Sequence, residues 1–297
     1  MRRRAFDVLV VGPATQDYLF VTKEEALSYG QTIEVKEVPV TLSGSGANVA
    51  VALARLGLKV GLVSAVGRDP RGEEILHELT REQVDTSLVA RVSLAGTGIS
   101  VTLLPRSSET PPFVLRYGGS SELGEITEEV QKMLHTTEWV YLAGYSGAWE
   151  KQIPLLLETL DHEETRLAWH MGSAFPYADR EFSSPLLART TMLFVDEAEA
   201  GLLLAAGGKD HAGLEQELAR RGVQAVVLTC MDESAHAGTG NLHVTARRPG
   251  VTALQDPRGA SDAFRAAFLG GFVHANEDLG SALQWGLMNA ESVGGSY

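Results

Sequence analysis

The sequence predicts an α/β fold with a right-handed, doubly wound and mostly parallel sheet, and three observations lead to that prediction. Short runs of continuous apolar residues recur along the chain, which is typical of strands covered by helices on both faces. Stretches with helical periodicity separate these runs, so that strands and helices alternate. The chain has 297 residues, 44% of them hydrophobic and 21% charged, which suffices for a sizeable core in a globular protein.

Six strands and six helices follow from this pattern. The predicted strands are residues 6–11, 60–65, 139–143, 166–169, 192–195 and 225–229. The predicted helices are residues 47–56, 71–82, 128–134, 151–160, 197–206 and 214–221.

Two stretches, at about 18–42 and 97–117, break the pattern because apolar and polar residues alternate in them. Such alternation predicts antiparallel strands with one solvated face. Both are inserted after core elements, so we expect them to form one small sheet, a lid over an edge of the domain. The alternative is a pair of ordinary surface hairpins.

Charge and cysteine content exclude several classes of protein. The chain carries 25 basic and 38 acidic residues, a net charge of −13, which argues against nucleic acid or an anionic membrane as a partner. The only cysteine, Cys230, excludes an internal disulfide and any multi-cysteine zinc site. The apolar stretch after the N-terminal arginines ends at Gly12-Pro13, too early for a signal peptide. We therefore expect a cytoplasmic protein.

A glycine-rich segment, Ser43 to Asn48, leads into the helix predicted at 47–56. Glycines at such a junction let backbone N–H groups approach a ligand closely. Val49 follows where a dinucleotide-binding loop has its last glycine, and no Gly-Lys-Ser/Thr appears, so neither common phosphate-loop motif is present. A plain helix-capping turn is the alternative, but the Asn48 amide offers a donor and an acceptor to a hydroxylated ligand.

A second segment of small residues, ending in Gly259, Ala260, Ser261 and Asp262, leads into a helix with a phenylalanine stripe. The first N–H groups of that helix would form an anion hole. Asp262 is either an acid that answers the helix dipole or a general base beside a transferring phosphate.

Together the two segments resemble the G-G-x-G-x-N and D-T-x-G-A-G-D motifs of the ribokinase-like (PfkB) family of carbohydrate kinases. Residues 10–20 and 195–199 add weaker matches, and the resemblance covers nearly the whole chain. It implies one kinase domain over residues 1–297, a three-layer α/β/α sandwich with a mostly parallel sheet and a small β lid.

The resemblance also implies roles for individual residues. Asp262 would be the catalytic base, and the N–H groups of Gly259, Ala260 and Ser261 would form the anion hole. The remaining implied contacts are Asp17, Gly44, Gly46 and Asn48 with the sugar, Asp196 and Glu199 with Mg²⁺, and Thr229 and Asn289 with the nucleotide. Arg258 is not a family residue; it would clamp a phosphate or pair with a local acid.

Several positions depart from the family pattern. Ser261 replaces a glycine, Asp196 stands where asparagine is expected, and the segment from Cys230 to Ser234 lacks both glycines of the nucleotide loop. His170 stands at a strand end where the family often has an aspartate, and we interpret it as a local packing substitution.

The implied activity is phosphorylation of a sugar hydroxyl with ATP and Mg²⁺, with a monovalent cation as a further candidate. A nucleoside kinase on the same fold and a degenerate, non-catalytic binding protein are the alternatives. The insertions contain apolar residues that a monomer would leave partly exposed, among them Ile33, Val35 and Val38. Members of the family often pair their lid sheets between subunits, so we expect a homodimer through the lid.

Overall fold

A nine-stranded sheet lies at the centre of the protein. The computed structural model describes residues 4–22, 30, 32–35, 38–104, 113–144, 151–161, 165–172, 180–204, 211–230, 234–240, 242–247, 259–275 and 278–294. The strands, in chain order, are β1 (Val8–Val11), β2 (Thr15–Val21), β3 (Val40–Ser43), β4 (Val60–Gly67), β5 (Val89–Val92), β6 (Ile99–Leu104), β7 (Phe113–Tyr117), β8 (Trp139–Leu142), β9 (Arg166–His170), β10 (Met192–Asp196), β11 (Ala225–Thr229), β12 (Ser234–Thr239) and β13 (Leu242–Arg247).

The main sheet has the order β13-β12-β11-β10-β9-β8-β1-β4-β5. Every neighbouring pair from β11 to β5 is parallel, whereas β12 and β13 continue the sheet as an antiparallel hairpin. All residues of β1, β4 and β8 are buried, as continuous apolar runs in a doubly covered sheet require.

Helices cover both faces of this sheet and complete three layers. They are α1 (Ser45–Arg55), α2 (Pro70–Arg81), α3 (Glu128–Leu134), α4 (Ile153–Asp161), α5 (Arg180–Arg189), α6 (Glu197–Leu204), α7 (His211–Arg220), α8 (Ala260–Gly270) and α9 (Leu279–Gly294). Val8 and Val10 pack in the core shared with α1, α8 and α9, whereas Leu9 and Val11 pack in the core shared with α3 to α7. The six predicted strands and six predicted helices are present, most with ends shifted by a few residues.

The two insertions form a separate four-stranded sheet, the lid sheet, with the order β3-β2-β6-β7. One detail of the prediction was wrong, because β2 and β6 pair in parallel where we expected only antiparallel strands. A parallel pair needs a long crossover connection, and the chain between β2 and β6 supplies one.

Several elements had no clear sequence signal. β12 reads Ser-Ala-His-Ala-Gly-Thr, which lacks the apolar run of a central strand, and β13 is largely exposed. Hydrogen bonding to β11 holds this hairpin in the sheet, so the hairpin forms although it contains few apolar residues. Among the described residues, no helix is both long and apolar enough to cross a bilayer.

Candidate active site

The N-termini of α1 and α8 meet beside Asp262. Ser45 Oγ donates a hydrogen bond to Asp262 Oδ1 (2.7 Å), and Asn48 Nδ2 donates to Asp262 Oδ2 (2.9 Å). Asp262 is 9% exposed, so these contacts hold the carboxylate in a shielded position. The structure thus joins the two segments that the sequence singled out, and it adds Ser45, which the sequence analysis did not assign a role.

The start of α8 has the form of an anion-binding helix terminus. Gly259 is the N-cap residue with a left-handed backbone (φ 72°), and among the described residues no side chain caps the helix. Ala260, Ser261 and Asp262 occupy its first turn, where backbone N–H groups lack helical partners. A helix N-terminus also carries partial positive charge, so this turn can receive a phosphate.

Packing explains two glycines of the first segment. Gly44 has a φ of 93°, and a Cβ added there would lie 2.5 Å from the carbonyl oxygen of Pro13. A Cβ on Gly46 would lie 2.6 Å from the backbone of Gly12. Close approach between the turn after β1 and the start of α1 therefore requires both glycines, whether or not they also contact a sugar.

Arg265 is a site residue that the sequence analysis missed. Its Nη1 lies 2.8 Å from Asp262 Oδ1, and the two side chains are only 15% and 12% exposed. The available signal was a lone cation in the apolar helix segment 263–270, three residues after an acid. Arg265 therefore balances the charge of the carboxylate that the sequence assigned as the base.

Asp196 and Glu199 form a reciprocal pair where β10 ends and α6 begins. The Glu199 N–H donates to Asp196 Oδ1 (2.7 Å), and the Asp196 N–H donates to Glu199 Oε2 (3.0 Å). This arrangement satisfies backbone donors at the helix start, as a capping box does. It uses one oxygen of each carboxylate, and carboxylate oxygens are ligands that Mg²⁺ prefers, so the donor set also fits that ion.

His170, at the end of β9, is buried beside Glu199 with its Nε2 at 3.6 Å from Glu199 Oε1. Burial and the nearby Arg265 charge lower the pKa of His170 below its ordinary value, so it is neutral at pH 7. Burial opposes the charge of Glu199, but the neighbouring His170, the hydrogen bond from the Asp196 N–H and the nearby charge of Arg265 outweigh burial and lower the pKa of Glu199. His170 is thus a polar neighbour of Glu199 as well as a packed side chain.

The acid stability of the protein should depend on His170. Below pH 6.5, His170 in the unfolded chain takes up a proton that the buried side chain does not, so stability falls as the pH falls. The loss approaches about 1.4 kcal/mol per pH unit for one group. We expect His170→Asn to remove this slope, measured as the free energy of urea unfolding between pH 7.5 and 5.

The informative quantity is the difference between wild type and variant, because every other titrating group cancels in it. His77→Asn, at an exposed position on α2, is the matched control and should leave the slope unchanged. If the difference in unfolding free energy between the wild type and His170→Asn stays constant with pH, His170 is not a buried neutral histidine.

The other predicted site residues lie in several places. Asp17, in β2, is buried and accepts hydrogen bonds from Ser100 Oγ (2.5 Å) and Thr102 Oγ1 (3.2 Å) of β6, within the lid sheet. Thr229 ends β11 in register with Asp196, and Asn289 is half-buried on α9. Arg258 lies outside the described residues.

A cavity of about 430 Å³ lies between the lid sheet and α2. Glu73, Glu74 and Glu78 line it, and Gln16 Nε2 donates to Glu74 across it (2.7 Å). Three carboxylates would repel phosphate, so the N-terminus of α8 is the better phosphate site.

Comparison with known proteins agrees with this geometry. A family model described as pfkB family carbohydrate kinase matches residues 5–292. The 5-dehydro-2-deoxygluconokinase of Clostridium perfringens is 25% identical, covering 99% of this chain and 89% of that protein. The ribokinase of Haemophilus influenzae is 36% identical over 97 residues, so that match spans only 33% of this chain and 31% of the relative.

Among solved structures, Arabidopsis thaliana ribokinase complexed with ribose and ATP superposes with a TM-score of 0.81, covering 97% of this chain and 92% of that chain at 19% identity. This likeness confirms the predicted ribokinase-like fold with its mostly parallel sheet and separate small sheet.

Proposed function

Because the chain belongs to the pfkB family of carbohydrate kinases, we propose that it is an ATP- and Mg²⁺-dependent kinase that phosphorylates a hydroxyl group of a small sugar. One observation carries the proposal: Ser45 and Asn48 of α1 meet Asp262 at the N-terminus of α8. A shielded carboxylate beside a phosphate-binding helix terminus is what transfer of a phosphoryl group to an alcohol requires.

In the proposed mechanism, Asp262 accepts the proton of the attacking hydroxyl. Ser45 and Asn48 hold its two oxygens in place, and either side chain can also bind a neighbouring sugar hydroxyl. Backbone N–H groups of Gly259, Ala260 and Ser261 stabilise the charge on the transferred phosphoryl group. The exposed position of Ser261 keeps its hydroxymethyl group out of the core, which supports a functional anion hole despite the missing glycine.

Asp196 and Glu199 would hold hydrated Mg²⁺ through their carboxylate oxygens, and Thr229, Asn289 and Arg258 would contact the nucleotide. When bound, the ion neutralises charge on the nucleotide phosphates. Asp17, Gly44 and Gly46 would contribute to sugar binding, with the lid sheet and the main sheet acting as one kinase unit.

Glu199→Gln tests the magnesium role. The amide can still accept from the Asp196 N–H, so we expect α6 to keep its start and the stability loss to stay near 1 kcal/mol. The Mg²⁺ concentration for half-maximal activity should rise about tenfold, because the variant lacks the charge that orients the ion's water ligands. Glu128→Gln, which changes an exposed acid in the first turn of α3, is the control. An unchanged Mg²⁺ requirement would show that Glu199 only stabilises the start of α6.

A substrate screen tests the function itself. Release of ADP from ATP and Mg²⁺ is measured against a panel of sugars and nucleosides, with the Asp262→Asn protein as the blank. A sugar as the best acceptor supports the proposal, and a nucleoside as the best acceptor replaces it with a nucleoside kinase. Calorimetric titration with ATP and Mg²⁺ tests the remaining alternative, since heat of binding without turnover on any acceptor indicates a non-catalytic protein.

The lid homodimer remains a proposal, supported by apolar residues on the outer strands of the lid sheet. Val40 on β3 and Leu115 and Tyr117 on β7 are 45%, 53% and 53% exposed. We expect a dimer by light scattering at micromolar concentration and a monomer for Leu115→Asp. Leu242→Asp, on the equally exposed β13 position, should remain a dimer; a monomeric wild-type protein would refute the proposal.

A further inference from the structure

Three side chains with metal-binding atoms converge outside the residues assigned above. His211 begins α7, Cys230 directly follows β11, and His236 lies in β12. One ligand atom of each lies within 4.8 Å of those of the other two. We propose that His211, Cys230 and His236 form a binding site for a divalent transition metal of the Zn²⁺ class.

The distances suit a shared ion. Tetrahedral Zn²⁺ with bonds of about 2.0 Å to nitrogen and 2.3 Å to sulfur places those two ligand atoms about 3.5 Å apart. Cys230 Sγ lies 4.0 Å from Nδ1 of His211, which is about 0.5 Å longer than that separation. It lies 3.5 Å from Nε2 of the same ring, the nitrogen that Glu197 contacts. The rings of His211 and His236 are 4.3 Å apart between centroids, so the second imidazole lies directly beside the first. Small side-chain adjustments therefore complete the coordination.

A carboxylate supports His211 directly and His236 through His243, and metal-binding histidines commonly have such support. Glu197 Oε1 lies 2.7 Å from His211 Nε2, which leaves Nδ1 for the metal. His236 Nδ1 lies 3.4 Å from His243 Nε2, and His243 Nδ1 lies 2.7 Å from Glu215 Oε2. These contacts orient both rings before any ion binds.

The donor set selects the metal. Two imidazoles and a thiolate prefer Zn²⁺ and similar borderline ions, whereas Mg²⁺ prefers oxygen ligands such as those of Asp196 and Glu199. The two ions would therefore occupy different positions, although Cys230 and Glu197 each follow directly on a residue proposed for the kinase reaction. Three protein ligands leave a fourth position for water.

A second group, Glu215, His236 and His243, also places its ligand atoms within 4.8 Å of one another. It is less suitable because the 2.7 Å between Glu215 and His243 is a hydrogen-bond length, whereas two ligands of one tetrahedral ion lie about 3.3 Å apart. We therefore assign Glu215 and His243 to the support of His236.

Metal binding can be measured on the metal-stripped full-length chain without ATP or sugar, so the result does not depend on kinase activity. Zn²⁺ affinity is determined by competition with a chromophoric chelator, and Co²⁺ serves as a spectroscopic probe of thiolate ligation. We expect one Zn²⁺ per chain and a cobalt–thiolate absorption band. Removing a supporting carboxylate typically weakens binding about 10–100-fold, so Glu197→Gln should fall in that range and Cys230→Ser and His236→Ala at or beyond its upper end.

His77→Ala, on an exposed surface of α2, is the control and should bind Zn²⁺ like the wild type. Circular dichroism establishes that each variant is folded. Failure of the wild type to bind Zn²⁺, or undiminished affinity in Cys230→Ser, would overturn the proposal. Loss of binding in His243→Ala with retention in Cys230→Ser would place the metal on the second group and likewise overturn it.

Discussion

Asp262→Asn is expected to lower the turnover number about 10²–10⁴-fold, the usual contribution of a positioned general base. The amide keeps the shape of the side chain but cannot take the proton from the acceptor hydroxyl. Nucleotide affinity should stay the same or rise slightly, because a negative charge near the γ-phosphate is removed. Steady-state kinetics with the best acceptor of the substrate screen and calorimetric titration with ATP and Mg²⁺ measure the two effects.

The same substitution should destabilise the protein more than the loss of a helix-terminal charge alone would. A helix-terminal charge alone contributes up to about 1 kcal/mol. Because Arg265 loses its shielded partner in this variant, we expect a loss toward about 3 kcal/mol, measured by urea unfolding. Glu128→Gln, an exposed acid in the first turn of α3, controls for helix-terminal charge and should keep full turnover. Near-wild-type turnover in folded Asp262→Asn would reduce Asp262 to a structural charge.

Arg265→Ala is expected to lower the free energy of unfolding by about 3 kcal/mol, because it removes one partner of a largely buried ion pair. In a double-mutant cycle, Asp262→Asn should cost much less in the Arg265→Ala background than in the wild type. We expect a coupling energy of about 1–3 kcal/mol, which lies within the range of about 0.5–3 kcal/mol for residues in direct contact.

The chain contains a matched control pair with the same spacing. Glu78 and Arg81 on α2 are also three residues apart with a 2.7 Å contact, but their side chains are 39% and 61% exposed. Exposed helix pairs contribute about 0.3–0.5 kcal/mol, so the Glu78→Gln/Arg81→Ala cycle should give a coupling of that size. Equal coupling energies in the two cycles would show that shielding adds nothing to the Asp262–Arg265 pair.

The sequence by itself determined the elements whose signal is local. The buried strands are recognisable because a strand covered on both faces must be apolar throughout, as in β1 and β4. The starts of α1 and α8 are recognisable because small residues and glycines with left-handed backbones must precede them. For the same reason Asn48 and Asp262 could each be assigned to a helix start and proposed as site residues.

Only the tertiary structure decided which of these residues meet. Ser45 and Asp262 are 217 positions apart, and no periodicity relates them; packing of α1 against α8 brings them together. Pairing with β11 likewise defines β12 and places His236 beside His211 and Cys230, whose spacing matches no metal motif. The role of Arg265 was likewise decided by the tertiary structure. Its charge interacts strongly with Asp262 because both side chains are shielded from water, and burial is a property of the packed chain rather than of any short stretch of it.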